Sequence, residues 1–128
     1  MNVTLKELVA NANQEVRGYD VEAAKAMVGK PNVQFVDVRD EPELKNDGKI
    51  PGSLHASRGM LEFYLDPQSP YHKQEFTADK EFVFYCKSGG RSALAAQRAQ
   101  QMGLQNVAHL MGGFNAWKEK SGPVVQQS

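Results

Sequence analysis

The chain has one cysteine, Cys86, among 128 residues. A single thiol cannot close an internal disulfide, which excludes a secreted, disulfide-stapled scaffold. It also leaves no resolving partner, so any adduct on Cys86 must be discharged to an outside acceptor. Long hydrophobic runs are missing as well, and none approaches the ~18 residues of a membrane span. Met1-Asn2-Val3-Thr4-Leu5-Lys6-Glu7 has no apolar stretch of the kind a secretory signal carries. The expected location is therefore the cytoplasm, with no membrane partner. Neither sign of charge is in excess, since Lys and Arg total 15 and so do Asp and Glu. That balance argues against a general nucleic-acid binder. Repeats and low-complexity tracts are absent, and the length suits one domain with a substantial core. Histidine is scarce. His55, His72 and His109 share no ligand spacing with one another or with Cys86, so each reads as structural or superficial and no metal site is expected.

The chemistry that is present gathers between Phe82 and Met102. Phe82-Val83-Phe84-Tyr85 is a nearly continuous aromatic and β-branched run, as in a strand buried on both faces. Cys86 stands at its end, and Lys87-Ser88-Gly89-Gly90 follows as a tight loop. From Arg91 to Met102 the residues favour helix, with Ala95, Ala99 and Met102 spaced for one face. Gly103 supplies a left-handed cap. The lone thiol therefore sits in a strand–loop–helix turn, facing a helix N-terminus. Unpaired N–H groups and about half a positive charge gather there. Two glycines let successive amides turn inward as an anion nest. Lys87 and Arg91 add full charges. All of these favour thiolate over thiol, which is otherwise only a few per cent ionised at pH 7.

The remaining chain alternates strands with helices. Thr4-Leu5-Lys6-Glu7 is a capping box opening a helix with Leu5, Leu8, Val9 and Ala12 on one face, an extension over residues 1–15 expected to pack on the domain. Val16 to Tyr19 reads as a short strand. Asp20 caps a helix that ends at Gly29 and Pro31. Val33 to Val38 is a strong strand with Asp37 at its C-terminal end, a residue expected to steady loop backbone. Arg39, Asp40, Glu41 and Glu43 form a solvated or structural ion-pair cluster. Glu41 to Asn46 is helical, Pro51-Gly52 turns into a brief strand, and Met60 to Leu65 is helical again. A short helix is expected over His72 to Phe76, and Val107 to Leu110 is a buried strand. Gly112-Gly113 makes a second glycine turn, expected to pack beside the cysteine loop. Phe114 and Trp117 anchor a last helix, and residues 124–128 are expected to form a flexible tail. Such alternation predicts βαβ crossovers and a parallel sheet covered on both faces.

Cys86-Lys87-Ser88-Gly89-Gly90-Arg91-Ser92 resembles the C-x-x-G-x-R-[ST] active-site loop of rhodanese sulfurtransferases. Val36-Asp37-Val38-Arg39, Gly48-Lys49-Ile50-Pro51-Gly52-Ser53-Leu54-His55-Ala56, with Lys49 where His is common, and Gly112-Gly113-Phe114-Asn115-Ala116-Trp117 are similar to further signatures of that family, in the same order. The resemblance runs from about Tyr19 to Pro123. It implies a single rhodanese domain with a three-layer α/β/α fold around a mostly parallel five-stranded sheet. It also implies a thiosulfate sulfurtransferase that works through a Cys86 persulfide, with Lys87, Ser88, Gly89, Gly90, Arg91 and Ser92 as the substrate-binding loop. A small-molecule sulfur donor and a thiol or protein acceptor would be the partners, and no metal or organic cofactor would be needed. Arg58 comes from a region where such proteins bring a basic residue toward the cysteine, so it joins the substrate-binding candidates.

Three other readings compete. Phosphatases and arsenate reductases of this fold carry C-x-x-x-x-x-R, whereas four residues separate Cys86 from Arg91 here. The shorter ring suits one sulfur atom better than a tetrahedral oxyanion. A non-catalytic rhodanese-like binding or regulatory module is the second rival, although such modules often lack the cysteine. A peroxide-sensing thiol is the third. Lys87 replaces an Arg common among thiosulfate-using members, keeping charge but losing two-pronged hydrogen bonding.

Overall fold

A computed structural model describes residues 2–127 of the protein. Strands β1 (Arg17–Tyr19), β2 (Val33–Asp37), β3 (Leu54–His55), β4 (Glu81–Tyr85) and β5 (Val107–Leu110) form one sheet in the order β1-β5-β4-β2-β3. Each pairing between these strands is parallel. Parallel neighbours need crossovers, and α2 (Val21–Lys25), α3 (Glu41–Asp47), α4 (Leu61–Leu65) and α5 (Gly90–Gln101) lie in them, while α1 (Leu5–Glu15) precedes β1 and α6 (Gly113–Glu119) follows β5. The three-layer α/β/α arrangement expected from the sequence is the one observed.

Strand β4 sets where the site lies. Its side chains alternate between faces. Phe82 and Phe84 pack in one core with Leu61 of α4 and Ala95, Ala96 and Ala99 of α5. Val83 and Tyr85 pack in the other with Val21 of α2 and Phe114 and Trp117 of α6. Cys86 continues the even-numbered set and so falls on the α5 side. The small alanines of α5 let that helix lie close to the sheet, with its N-terminus beside the end of β4.

A buried ion pair closes the neighbouring strand end. Asp37 and Arg39 are 0% and 1% exposed. Arg39 Nη2 donates to Asp37 Oδ2 at 2.7 Å and to the Gly48 carbonyl at 2.7 Å, while the Arg39 backbone N–H donates to Asp37 Oδ1 at 3.0 Å. The guanidinium lies 4.3 Å from the Phe114 ring centroid and 5.6 Å from that of Tyr85. Burial works against the Arg39 charge, but the hydrogen bonds and charge of Asp37 outweigh it and hold the group above its ordinary value. Of the two sequence readings for Arg39, the structural pair is therefore the right one, and its partner is Asp37.

Several local expectations change. Leu5 and Leu8 are 69% and 47% exposed, because α1 seats only its later turns, through Ala12, against the body. Met102 is 42% exposed, beyond the last inward turn of α5. Helix α2 ends at Lys25 and continues only as turns to Gly29. The helix expected over His72 to Phe76 is a 3-10 turn over Gln74–Thr77. The expected flexible tail is tied at Val125, which exchanges two backbone hydrogen bonds with Lys49 at 2.8 and 2.9 Å. Ser128 lies outside the described residues.

Removing one member of the buried pair strands a charge in the core. Arg39→Met is expected to lower stability by about 3–5 kcal/mol in urea unfolding. The double variant Arg39→Met/Asp37→Asn should lose less than Arg39→Met alone.

Candidate active site

The site begins with the backbone between β4 and α5. Gly89 adopts φ +116°, a conformation open to glycine and strained for other residues, and this folds its amide back under the strand end. The Gly89 N–H donates to Cys86 Sγ at 3.1 Å. Ser92, on the first turn of α5, places its Oγ 3.6 Å from the same sulfur. Cys86 is 1% exposed and Gly89 and Ser92 are buried, whereas Lys87 and Ser88 are exposed. The thiol thus lies under its loop at the helix N-terminus, with an amide directed at it, as the sequence predicted.

The loop is held from outside by α6. Phe114 N–H donates to the Cys86 carbonyl at 2.8 Å, and Asn115 N–H donates to the Lys87 carbonyl at 3.0 Å. Gly113 makes the approach close enough. A Cβ there would lie 2.5 Å from the Lys87 carbonyl oxygen, and its φ is +64°. The second glycine turn therefore packs beside the cysteine loop, as expected.

The cations behave differently from one another. Among the described residues Lys87 enters no ion pair, and its side chain is at the exposed rim. Arg91 is held in a two-pronged bridge, with Nη1 and Nη2 donating to Glu43 Oε1 and Oε2 at 2.8 and 2.9 Å. Glu43 Oε1 also accepts the Asp40 N–H at 3.0 Å, so this bridge ties the loop helix to the start of α3. The Arg91 bonds hold the Glu43 carboxyl at about 2, against an ordinary value of 4.5. Glu43's bonds push Arg91 up, and the nearby Cys86 adds to the shift. Arg58 is paired with Glu62 of α4. Its Nη1 donates to Glu62 Oε1 at 3.0 Å, and it edges a groove with Leu8, Leu94 and Arg98.

Two side chains near the sulfur were not foreseen. His109 is 3% exposed, and its Nδ1 lies 3.2 Å from Ser92 Oγ. Its Nε2 lies 2.8 Å from Asn13 Oδ1 on α1. Burial lowers the His109 pKa. Both residues border a pocket of about 380 Å³ between α1 and the Ser88–Gly90 segment. A signal existed in the sequence: a histidine inside the apolar run Val107 to Leu110 needs a buried partner. Nothing local names that partner. The other two histidines bond backbone, His55 to the Arg39 carbonyl and His72 to the Tyr64 carbonyl.

A parallel α/β sheet that presents a cysteine loop at a helix N-terminus defines the class. The rhodanese-like domain model matches residues 20–120, and the chain belongs to that family. Its relatives include a thiosulfate:glutathione sulfurtransferase of Saccharomyces cerevisiae, 36% identical over 115 residues, covering 84% of this chain and 81% of that one. A solved structure from Rhodopseudomonas palustris, described as a protein of unknown function and possible tyrosine phosphatase, is 49% identical with a TM-score of 0.95. It covers 98% of this chain and 96% of that one. A polysulfide-sulfur transferase homodimer from Wolinella succinogenes is 29% identical with a TM-score of 0.72, over 99% of this chain and 90% of that one.

Gly113→Ala should drive its Cβ into the Lys87 carbonyl. We expect at least about 2 kcal/mol of lost stability in urea unfolding, from strain and displacement of the loop. Glu43→Gln tests the Arg91 bridge, which is part-exposed and screened, so a loss on the order of 1 kcal/mol is expected at pH 7. Because Glu43 is depressed in the folded state, its contribution is complete above about pH 4.5 and fades as pH falls toward about 2. The stability gap between wild type and Glu43→Gln should therefore narrow across that window in acid titrations.

Proposed function

We propose that the protein is a sulfurtransferase carrying sulfane sulfur on Cys86. The observation that carries this reading is the Gly89 N–H directed at Cys86 Sγ at 3.1 Å, at the start of a twelve-residue helix. That arrangement favours a negative sulfur before reaction and a negative outer sulfur after it. In the first step the thiolate attacks the outer sulfur of a donor such as thiosulfate. An S–S bond forms at Cys86, the donor's S–S bond breaks, and sulfite leaves with that electron pair. In the second step a nucleophilic acceptor, a small thiol or a protein thiol, attacks the outer sulfur and Cys86 leaves as thiolate. This is nucleophilic catalysis with electrostatic support.

Within this reading the loop amides from Lys87 to Ser92 hold the outer sulfur's charge. Lys87, exposed at the rim, attracts the donor's sulfonate end. Arg91 orients the loop through Glu43, a role the two-pronged bridge supports better than that of a free anion-binding side chain. Arg58 stays a lesser donor-binding candidate, set back by its bond to Glu62. A thiol that cycles with thiol acceptors suits a reducing compartment such as the cytoplasm.

Phosphatase chemistry is the second reading, favoured by the description of the Rhodopseudomonas structure. Four residues between Cys86 and Arg91, and an Arg91 whose two outer nitrogens are engaged by Glu43, leave little to grip a phosphoryl group. Intact mass measured after thiosulfate treatment separates the two. We expect a gain of one sulfur atom, removed by cyanide and absent from Cys86→Ser. Aryl phosphate hydrolysis faster than sulfur transfer would favour the phosphatase.

A further inference from the structure

Helix α1 reaches the sulfur through a chain of three side chains. Cys86 Sγ lies 3.6 Å from Ser92 Oγ, Ser92 Oγ lies 3.2 Å from His109 Nδ1, and His109 Nε2 lies 2.8 Å from Asn13 Oδ1. The direction of these contacts follows from the Asn13 oxygen that faces the ring. Asn13 Oδ1 is an acceptor, so His109 Nε2 carries the ring proton and donates it. His109 Nδ1 then holds a lone pair, and the ring is buried, so it needs a donor. The Ser92 hydroxyl is in reach. The hydroxyl also donates to the Gly89 carbonyl at 3.1 Å, which accepts the Ala93 N–H of α5 through its other lone pair. Rotation about the Ser92 Cβ–Oγ bond turns the proton from that carbonyl to His109 Nδ1, and the Ser92 oxygen faces the thiol.

We propose that His109, positioned by Asn13, takes the Cys86 proton through Ser92 and so charges the sulfur for transfer. The step moves two protons and no electrons. The S–H bond breaks as an O–H bond forms at Ser92. The original Ser92 O–H breaks as an N–H forms at His109 Nδ1. Thiolate and imidazolium result, with Nε2–H still on Asn13. The Gly89 N–H already faces the thiolate.

Among the described residues, the surroundings of His109 supply no other charge. Asn13 faces it from α1 and Ser92 from α5, while Gly18 of β1 and Phe84 of β4 are its register partners. The pocket it borders is lined by apolar, glycine, serine and asparagine residues, with no charged side chain. Arg91, one residue before Ser92, is engaged by Glu43. Cys86 is thus the titratable group to which His109 is linked. Asn13 precedes the segment matched by the family model, which starts at residue 20. The extension of the chain would then be a working part of the sulfur site.

The inference rests on Cys86 as the sulfur nucleophile, yet its test does not need turnover. Thiolate absorbance near 240 nm is titrated against pH, with Cys86→Ser as the blank for tyrosine and tryptophan. His109→Gln keeps an acceptor for Ser92 but cannot take a proton. It should move the half-titration point of the thiolate up by about one pH unit, a tenfold loss of thiolate on the acid side. Asn13→Asp gives a test of sign, on an exposed residue that should not disturb folding. A carboxylate acting directly on the sulfur would disfavour thiolate and move the point up. A carboxylate acting through His109 stabilises imidazolium and moves it down, which is the result expected. An unchanged or raised point in Asn13→Asp overturns the relay, whether or not His109→Gln folds. So does a His109→Gln titration that matches wild type. Failure of sulfur transfer alongside an intact relay would instead count against the function proposed for the loop.

Discussion

The cysteine loop owes its shape to two carbonyls that point the wrong way for solvent. Those of Cys86 and Lys87 are taken by the first amides of α6, at 2.8 and 3.0 Å. A trans peptide is planar, so each carbonyl directed at α6 turns the following N–H to the opposite side. Anchoring the outer face of the loop in this way disposes the inner face for an anion. The anchor depends on Gly113, whose missing Cβ lets the two turns touch. It depends in turn on where α6 sits, and there Phe114 lies over the Arg39 guanidinium that Asp37 holds. The buried pair at the end of β2 and the amide under the sulfur at the end of β4 are thus mechanically linked. The link runs through an aromatic ring.

Much of this was legible because it is local. The unbroken apolar run of β4, the glycines after Cys86, the capping box of Thr4 and Glu7, and the apolar run of β5 each carry their signal within a few residues. The alternation of strand and helix then left few topologies, and the parallel sheet followed. The pairing of distant polar groups was not legible. Arg91 meets Glu43 across 48 positions and His109 meets Asn13 across 96. No periodicity encodes which of several acidic residues a given arginine will find. Glu43 looked like one of a charged cluster with Asp40 and Glu41, yet Lys45 takes Glu41 while Glu43 turns to Arg91. The exposure of Leu5 and Leu8 was hidden for a related reason. Their helical spacing is correct, but how far a helix overhangs its support is a tertiary matter.

The pairing of Arg91 changes how the electrostatics at the sulfur are to be understood. From sequence, two side-chain cations seemed to converge on Cys86. In the fold one of them is offset by a carboxylate within hydrogen-bond distance, so the pair is close to neutral when felt from any distance. What remains beside the sulfur is a backbone amide, a hydroxyl and the start of a helix, with Lys87 at the rim. Partial charges at short range favour a small, polarisable anion seated among them. A multiply charged oxyanion would call for uncommitted cations. Among the described residues the interior of this loop offers none, and that chemical argument supports the proposed sulfur reading more than the residue count in the motif does.

A buried sulfur also needs somewhere for its proton to go. Solvent is largely shut out at 1% exposure, so a route through side chains has more to contribute here than at an open thiol. The Ser92, His109 and Asn13 contacts run away from the loop's outer rim and toward the pocket under α1. Donor binding at Lys87 and proton withdrawal through Ser92 would then use different sides of the same cysteine and need not compete for space. On a fold shared by many proteins, what packs against the flank of the loop becomes a way to set the charge of the sulfur without altering the loop itself. An eleven-residue helix ahead of the family core, seated through Ala12 and carrying Asn13 beside it, is sufficient for that.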